Sequence, residues 1–113
     1  LSEDIAVSKK DMKYDKGKVR MELLPFDCLT EMAKVLTFGA EKYRENSWQT
    51  VKNSYERYRG SLLRHMAAMQ AGKILDEESG LLHAAHLATN AMFILWFELH
   101  KDVNDENVRC SKR

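Results

Sequence analysis

The feature that most constrains the fold is a largely apolar run over residues 81–97, which His83, His86 and Asn90 interrupt. These three polar residues are spaced by three and four positions, so on a helix they share one face. A helix that is apolar on nearly every face is buried, and polar groups on a buried helix need partners. The sequence therefore predicts a long buried helix, over about residues 79–101, that carries a polar site.

The start of this helix is expected just before the apolar run. Asp76 or Ser79 can cap it, because a short side-chain oxygen satisfies the free N–H groups of the first turn. Glu77 and Glu78 would then lie near the positive end of the helix dipole.

Two further helices are predicted, over about residues 25–44 and 51–70. Pro25 suits a first helical position, and Gly72 is a plausible end of the second helix. The link to the third helix is short, so helices two and three should be antiparallel neighbours. The expected fold is a small all-α bundle of three long helices in one domain, residues 1–113, with a flexible arm (1–14) and a frayed tail (102–113).

The third helix is too apolar for two partner helices to cover. A homo-oligomer is therefore expected, a dimer or a higher assembly that completes a four-helix type of core.

The overall charge excludes some partners. A net charge of +1 favours neither a nucleic-acid polymer nor a membrane surface, and the apolar run is shorter than the roughly 20 residues that span a bilayer. The two cysteines, Cys28 and Cys110, form no CxxC motif, and Cys28 is expected as a small core residue. With no signal peptide recognisable, a cytoplasmic protein is expected.

Histidines on two helices are predicted to meet. His65 lies about ten residues before the turn between helices two and three, and His86 about ten after it, so they should be level. Glu78 and His83 would lie nearer one end. This polar face could hold a divalent metal ion or a phosphate, or it could be a buried histidine pair with satisfied partners, and spacing leaves both open.

Other residues have a functional and a structural interpretation each. Lys16, Lys18 and Arg20, around Gly17, form either a phosphate-binding loop or a solvated turn. The aromatic rings of Tyr43 and Trp48 can stack on a base or pack at a helix end.

Arg64 suits phosphate recognition by its planar guanidinium, although a surface arginine is the simpler interpretation. Lys42 and Asn46 flank the same loop as Trp48.

Taken in order, these residues resemble a known family. The shared motifs are Lys13-Tyr-Asp-x-Gly-Lys-x-Arg20, Leu24-Pro25, Phe38-Gly-Ala-x-Lys-Tyr43, Asn46-x-Trp48, Arg64-His65, Gly72, Asp76-x-Glu-Ser-Gly80, His83-x-x-His86 and Asn90. They resemble the small phage and bacterial domain named for the N-terminal part of dATP/dGTP diphosphohydrolases.

The resemblance implies an all-α, MazG-like relative that binds a nucleotide or nucleotide-derived molecule and cleaves a triphosphate to monophosphate and pyrophosphate with Mg²⁺ or Mn²⁺. It implies catalytic roles for Glu78, His65 and His86, and a metal site of Asp76, Glu78 and His86. The implied substrate-binding residues are Lys16, Lys18, Arg20, Lys42, Tyr43, Asn46, Trp48, Arg64, His83 and Asn90.

The sequence also departs from the MazG pattern. Glu77-Glu78 is followed by Ser79, Gly80 and Leu81 rather than by a further glutamate, and His83-x-x-His86 stands where an acidic pair would be needed. Mg²⁺ prefers several oxygen ligands. A second hypothesis is therefore a non-catalytic oligomer that sequesters a nucleotide or a nucleotide-derived immune signal, such as a phage protein acting against host defence.

Overall fold

The computed structural model describes residues 16–101, and these form three α-helices. Helix α1 spans Phe26–Lys42, α2 spans Ser54–Gln70 and α3 spans His83–His100. Short 3₁₀ turns at Met21–Leu23 and Ser47–Thr50 precede α1 and α2. The predicted all-α bundle is confirmed for residues 16–101, which contain no β-strand beyond an isolated bridge between Leu75 and Leu82. The predicted arm (1–14) and tail (102–113) lie outside this range.

Helix α3 is the element on which the other two pack. It runs beside α2 along the length of both helices and also contacts α1. The buried apolar side chains among the described residues are few, namely Val35, Ala85 and Phe97. Cys28 is exposed on α1, so its expected place in the core is wrong. None of the helices between residues 16 and 101 has the length and hydropathy to cross a membrane.

Helix α2 ends at Gln70, close to Gly72, as predicted from this glycine. Gly72 has a φ of 87°, and its N–H donates to Met69 O, while Lys73 N donates to Ala68 O. This pair of bonds is the Schellman motif, which needs a left-handed residue that glycine adopts without a steric penalty. The chain can therefore turn sharply and return beside α2.

The predicted start of α3 is wrong, because the helix begins at His83 rather than near Ser79. The Asp76 carboxylate accepts hydrogen bonds from the Ser79 amide and hydroxyl, at 2.8 Å each, but these close a turn and cap no helix. Asp76 N also donates to Leu81 O at 2.7 Å. Aspartate side chains favour such turns over helix continuation, so residues 76–81 form a loop beside the helix start, and Glu77 and Glu78 lie in that loop.

Candidate functional site

A groove of about 1140 Å³ lies between α1 and α2, with α3 beneath it. The C-terminal half of α1 forms one wall, the middle of α2 the other, and Phe93 of α3 contributes to the floor. Many residues that the sequence analysis selected line it together, namely Lys42, Tyr43, Asn46, Trp48, Arg64, His65, Asp76, Glu78, His86 and Asn90. The groove has a polar and an aromatic end, a combination typical of small-molecule sites.

His65, Asp76 and His86 line the polar end of the groove. His83 contacts His65 but is not among the lining residues, and we call these four residues the histidine cluster. The His65 and His86 rings stack, with centroids 4.5 Å apart and an interplanar angle of 7°, which confirms their predicted contact. His65 Nδ1 lies 2.9 Å from His83 Nδ1. The cluster joins α2, the loop and α3, and His83 and His86 are buried.

Ser79 links two members of the cluster. Its hydroxyl donates to Asp76 Oδ2 at 2.8 Å, accepts from Leu81 N at 3.1 Å, and lies 2.7 Å from His86 Nε2. Because the single hydroxyl proton goes to Asp76, His86 must donate its Nε2–H to Ser79. The Nδ1 atom of neutral His86 therefore carries a lone pair, and the Ser79 hydroxyl has no capacity left to act as a nucleophile.

The surroundings of the cluster favour neutral imidazoles beside an ionised carboxyl. Burial lowers the pKa of both His65 and His86, and the negative charge of Asp76 only partly opposes this. Burial raises the pKa of Asp76, but the hydrogen bonds from the Ser79 amide and hydroxyl, together with the nearby His86 and His65, outweigh it, so the net pKa is lowered. At neutral pH the two rings are thus bases that can accept a proton.

The residues that could hold a metal ion differ in part from those predicted. One donor atom each from His65, Asp76 and His83 lies within 4.8 Å of the others. Of the predicted ligands, Asp76 belongs to this group. Glu78 forms an ion pair with Lys42 instead, and His86 Nε2 is bonded to Ser79 and lies 3.7 Å from Asp76 Oδ2.

Lys42 is held at the mouth of the groove. Its ion pair with Glu78 raises the pKa of Lys42, and its Nζ lies 5.1 Å from the centre of the Tyr43 ring. The Tyr43 side chain is 70% exposed. Both side chains therefore remain accessible to a ligand in the groove.

Trp48, Tyr58 and Phe93 line the aromatic end of the groove and pack against Trp96 and Phe97. We call these five residues the aromatic cluster. Trp48 stacks on Phe93 with centroids 4.5 Å apart and meets Trp96 edge-on at 5.1 Å. Tyr58 donates its hydroxyl proton to Trp48 O at 2.9 Å. Trp48 is thus packed within the protein, as the structural interpretation of this residue held, although part of it borders the groove.

The remaining residues predicted to bind substrate lie partly outside the groove and partly in its lining. Lys16, Lys18 and Arg20 are exposed and do not line the groove, and Arg20 pairs with Glu22 at 2.8 Å. Asn46 adopts the left-handed conformation, with a φ of 59°, and so begins the turn that carries Trp48. Asn90 is buried and donates to His86 O at 2.8 Å.

Sequence reasoning missed the linking role of Ser79 and two basic residues of the groove, Arg44 and Arg57. No motif marks the arginines, because only the approach of the two helices brings them to one surface. The charged residues of the lining are balanced, with four basic side chains and four carboxylates, namely Lys42, Arg44, Arg57, Arg64, Glu45, Glu56, Asp76 and Glu78.

Comparison with known proteins identifies relatives of the chain. The family described as "dATP/dGTP diphosphohydrolase, N-terminal" matches residues 8–107. A protein of Salmonella phage PMBT28, named dATP/dGTP diphosphohydrolase, is 35% identical over 95 residues, which cover 84% of this chain and 32% of the phage protein. The chain thus spans about a third of that relative's length. No solved structure matches it. Both the match over residues 8–107 and the motifs described above lead to one conclusion: the chain belongs to the dATP/dGTP diphosphohydrolase N-terminal domain family.

Proposed function

We propose that this chain binds a purine deoxynucleoside triphosphate in the groove and cleaves it to the monophosphate and pyrophosphate. The observation that carries the proposal is that basic side chains line the same groove as His65, Asp76 and His86. The family membership and the name of the phage relative support the same substrate class.

The basic residues of the groove suit the phosphates. Arg64 lies next to His65 on α2 and can bind phosphate oxygens through its planar fork. Lys42 is exposed and can exchange its ion pair with Glu78 for a phosphate oxygen. The exposed ring of Tyr43, beside Lys42, provides a surface on which a base can stack.

The histidine cluster supplies the proton chemistry. Hydrolysis at the α-phosphorus joins a water oxygen to phosphorus, breaks the bond to the β-phosphate oxygen and releases pyrophosphate. We propose that His86 Nδ1 accepts the proton of the attacking water, while the Ser79–Asp76 pair holds the ring through Nε2–H. His65 stacks on His86 and limits its rotation.

The donor atoms present do not fit Mg²⁺ well. Mg²⁺ prefers six oxygen ligands, whereas the cluster offers one carboxylate among imidazoles, and Glu78 is paired with Lys42. Mn²⁺ accepts both donor types more readily. A bound divalent ion would neutralise phosphate charge, and no step above depends on it.

The test is to incubate the purified protein with each of the four deoxynucleoside triphosphates, with Mg²⁺, Mn²⁺ or EDTA, and to identify products by mass spectrometry. We expect monophosphate and pyrophosphate from dATP and dGTP, with a loss of about 100-fold in His86→Ala and about 10-fold in Lys42→Ala. The matched control is Lys34→Ala, since Lys34 is also on α1 but pairs with Glu31 outside the groove. Equal rates in all variants, or no turnover by folded protein, would contradict the proposal.

A second function is favoured by the scarcity of free carboxylates at the polar end. In it, the groove sequesters a nucleotide or a nucleotide-derived signal without cleaving it. This function predicts tight binding in EDTA, with the ligand recovered intact by mass spectrometry after native separation. Binding that is lost in EDTA, or that ends in cleavage, would contradict it.

We also propose that the chain forms a homo-oligomer. Leu95 and Leu99 lie one turn apart on α3 and are 56% and 72% exposed, and Phe26 at the start of α1 is 77% exposed. A second copy that covers Leu95 and Leu99 would remove apolar area from water. Sedimentation over a range of protein concentrations should show a dimer or larger species that the Leu95→Glu, Leu99→Glu double variant dissociates. A monomer at all concentrations would contradict this.

A further inference from the structure

We propose that His65, Asp76 and His83 form a binding site for a divalent transition-metal ion that prefers Zn²⁺ and Co²⁺ to Mn²⁺, and all three to Mg²⁺. The inference concerns the ion and its ligands, so it stands whether or not the chain cleaves a nucleotide. It differs from the metal site expected from the family resemblance, which uses Glu78 and His86.

The spacing of the donor atoms fits a shared ion. Two nitrogens at about 2.1 Å from one tetrahedral ion are separated by about 3.4 Å. The Nδ1 atoms of His65 and His83 are 2.9 Å apart, and an oxygen of Asp76 completes a group within 4.8 Å. Small side-chain rotations would bring all three to coordination distance.

The carboxylate is oriented for such a role. Both hydrogen bonds from Ser79 end on Asp76 Oδ2, which leaves Oδ1 for an ion. Carboxylate ligands of metal ions are held in this manner by neighbouring donors, which fix their direction. The rigid loop thus presents Asp76 toward the two imidazoles of α2 and α3.

The chemistry of the donors selects the ion. Imidazole nitrogen binds Zn²⁺, Co²⁺ and other first-row ions well, and affinity rises from Mn²⁺ through Co²⁺ to a maximum at Cu²⁺ before it falls at Zn²⁺. Mg²⁺ requires an octahedron of oxygens, which two histidines and one carboxylate do not supply. The three ligands leave positions open for water or for a phosphate oxygen.

The charge of the groove provides an independent argument for a bound cation. Its four basic side chains and four carboxylates cancel, so the protein alone offers a triphosphate little net attraction. His65 and Asp76 both line the groove, and an ion bound there would add two positive charges at its polar end.

The test measures metal binding without any nucleotide. Metal-free protein is titrated with Zn²⁺ by calorimetry and with Co²⁺ by visible absorption. We expect one ion per chain, a Co²⁺ spectrum that Zn²⁺ abolishes and that excess Mg²⁺ leaves unchanged, and a loss of affinity of about 100-fold in His83→Ala. Because the rings are packed together, Asp76→Asn provides a second variant that preserves the size of the side chain, with an expected loss of at least about 10-fold.

The matched control is His100→Ala, which removes an exposed histidine from the other end of α3 and should leave the affinity unchanged. Circular dichroism establishes that each variant is folded. Equal affinity in His83→Ala, Asp76→Asn and the parent, or displacement of Co²⁺ by Mg²⁺, would overturn the proposal. Zn²⁺ binding without nucleotide turnover would refute the proposed hydrolysis and leave the metal site standing, while turnover with no Zn²⁺ or Co²⁺ binding would do the reverse.

Discussion

The aromatic cluster and the histidine cluster occupy equivalent positions on the same helix pair. His65 lies seven residues after Tyr58 on α2, and His86 lies seven before Phe93 on α3, so one interface carries both contacts. At one end it buries rings that have little need of polar partners. At the other it buries imidazoles that need hydrogen bonds from a loop. The difference indicates that the aromatic end stabilises the fold, and it supports the proposal that the polar end binds a ligand.

The largest effect on stability is expected from Phe97→Ala. Phe97 is 7% exposed and contacts Trp48, Tyr58 and Trp96, so its truncation should lower the free energy of unfolding by about 3 kcal/mol. Urea denaturation measures this change. Ile74→Ala, at a side chain that is 68% exposed in the loop after α2, should cost less than about 0.5 kcal/mol. Similar losses of unfolding free energy in both variants would show that the aromatic cluster does not stabilise the fold.

Ser79→Ala tests whether the loop holds the histidine cluster together. It removes the acceptor for His86 Nε2–H and Leu81 N–H, which we expect to cost about 1–2 kcal/mol. It should also raise the pKa of Asp76, since the Ser79 hydroxyl is one of the donors that lower it. Urea denaturation and carbon NMR of the carboxyl would measure the two effects.

The control for this change is Thr37→Ala, where the hydroxyl bonds only to Ala33 O on exposed α1. Ser79→Thr, which keeps the hydroxyl, should restore most of the stability. An unchanged Asp76 pKa in Ser79→Ala would show that the loop does not orient the carboxylate.

Tyr58→Phe should cost about 1 kcal/mol, because the hydrogen bond to Trp48 O is lost. Burial raises the pKa of Tyr58 to about 12 from the ordinary value of 10.0. Between these values the unfolded chain releases its phenol proton before the folded chain does, so wild-type stability falls as the pH rises through this window. The melting temperatures of wild type and Tyr58→Phe should therefore converge above about pH 10. A constant difference would mean that the phenol is not buried in solution.

In metal-free protein, lowering the pH should destabilise the fold through the histidine cluster, by less than raising the pH does through Tyr58. The folded pKa values of His65 and His86 lie below the ordinary 6.5. The unfolded chain therefore binds protons first as the pH falls through this value, and stability that is fully present above it is lost progressively below it. Thermal melts in EDTA from about pH 7.5 to 5 measure this. His86→Gln should flatten the decline, and an equal slope in the variant would contradict the assignment.

Much of the helical framework was predictable. Residues 25–44 and 51–70 were expected as helices and are observed as Phe26–Lys42 and Ser54–Gln70, since Pro25, Gly72 and apolar spacing act locally. The contact between His65 and His86 also followed, because residues equally far from a tight turn are level in an antiparallel pair.

Neither the first residue of α3 nor the partner of each side chain could be predicted from local patterns. Asp76 had two local uses, as a helix cap or in a turn, and the packing of the loop beside α3 selected the turn. Trp48 likewise had two interpretations, and only the approach of Phe93 on α3 shows that it is packed. Arg44 and Arg57 belong to no motif and reach the groove through helix packing alone.

The sequence by itself determined that this chain is helical and that a polar face lies on its most apolar helix, because periodicity and capping are local properties. Only the tertiary structure decided which polar groups meet. His83 joins His65 rather than remaining at one end, Ser79 fixes the tautomer of His86, and Glu78 pairs with Lys42. These pairings depend on the path of a short loop and on the distance between helices, which no local pattern encodes.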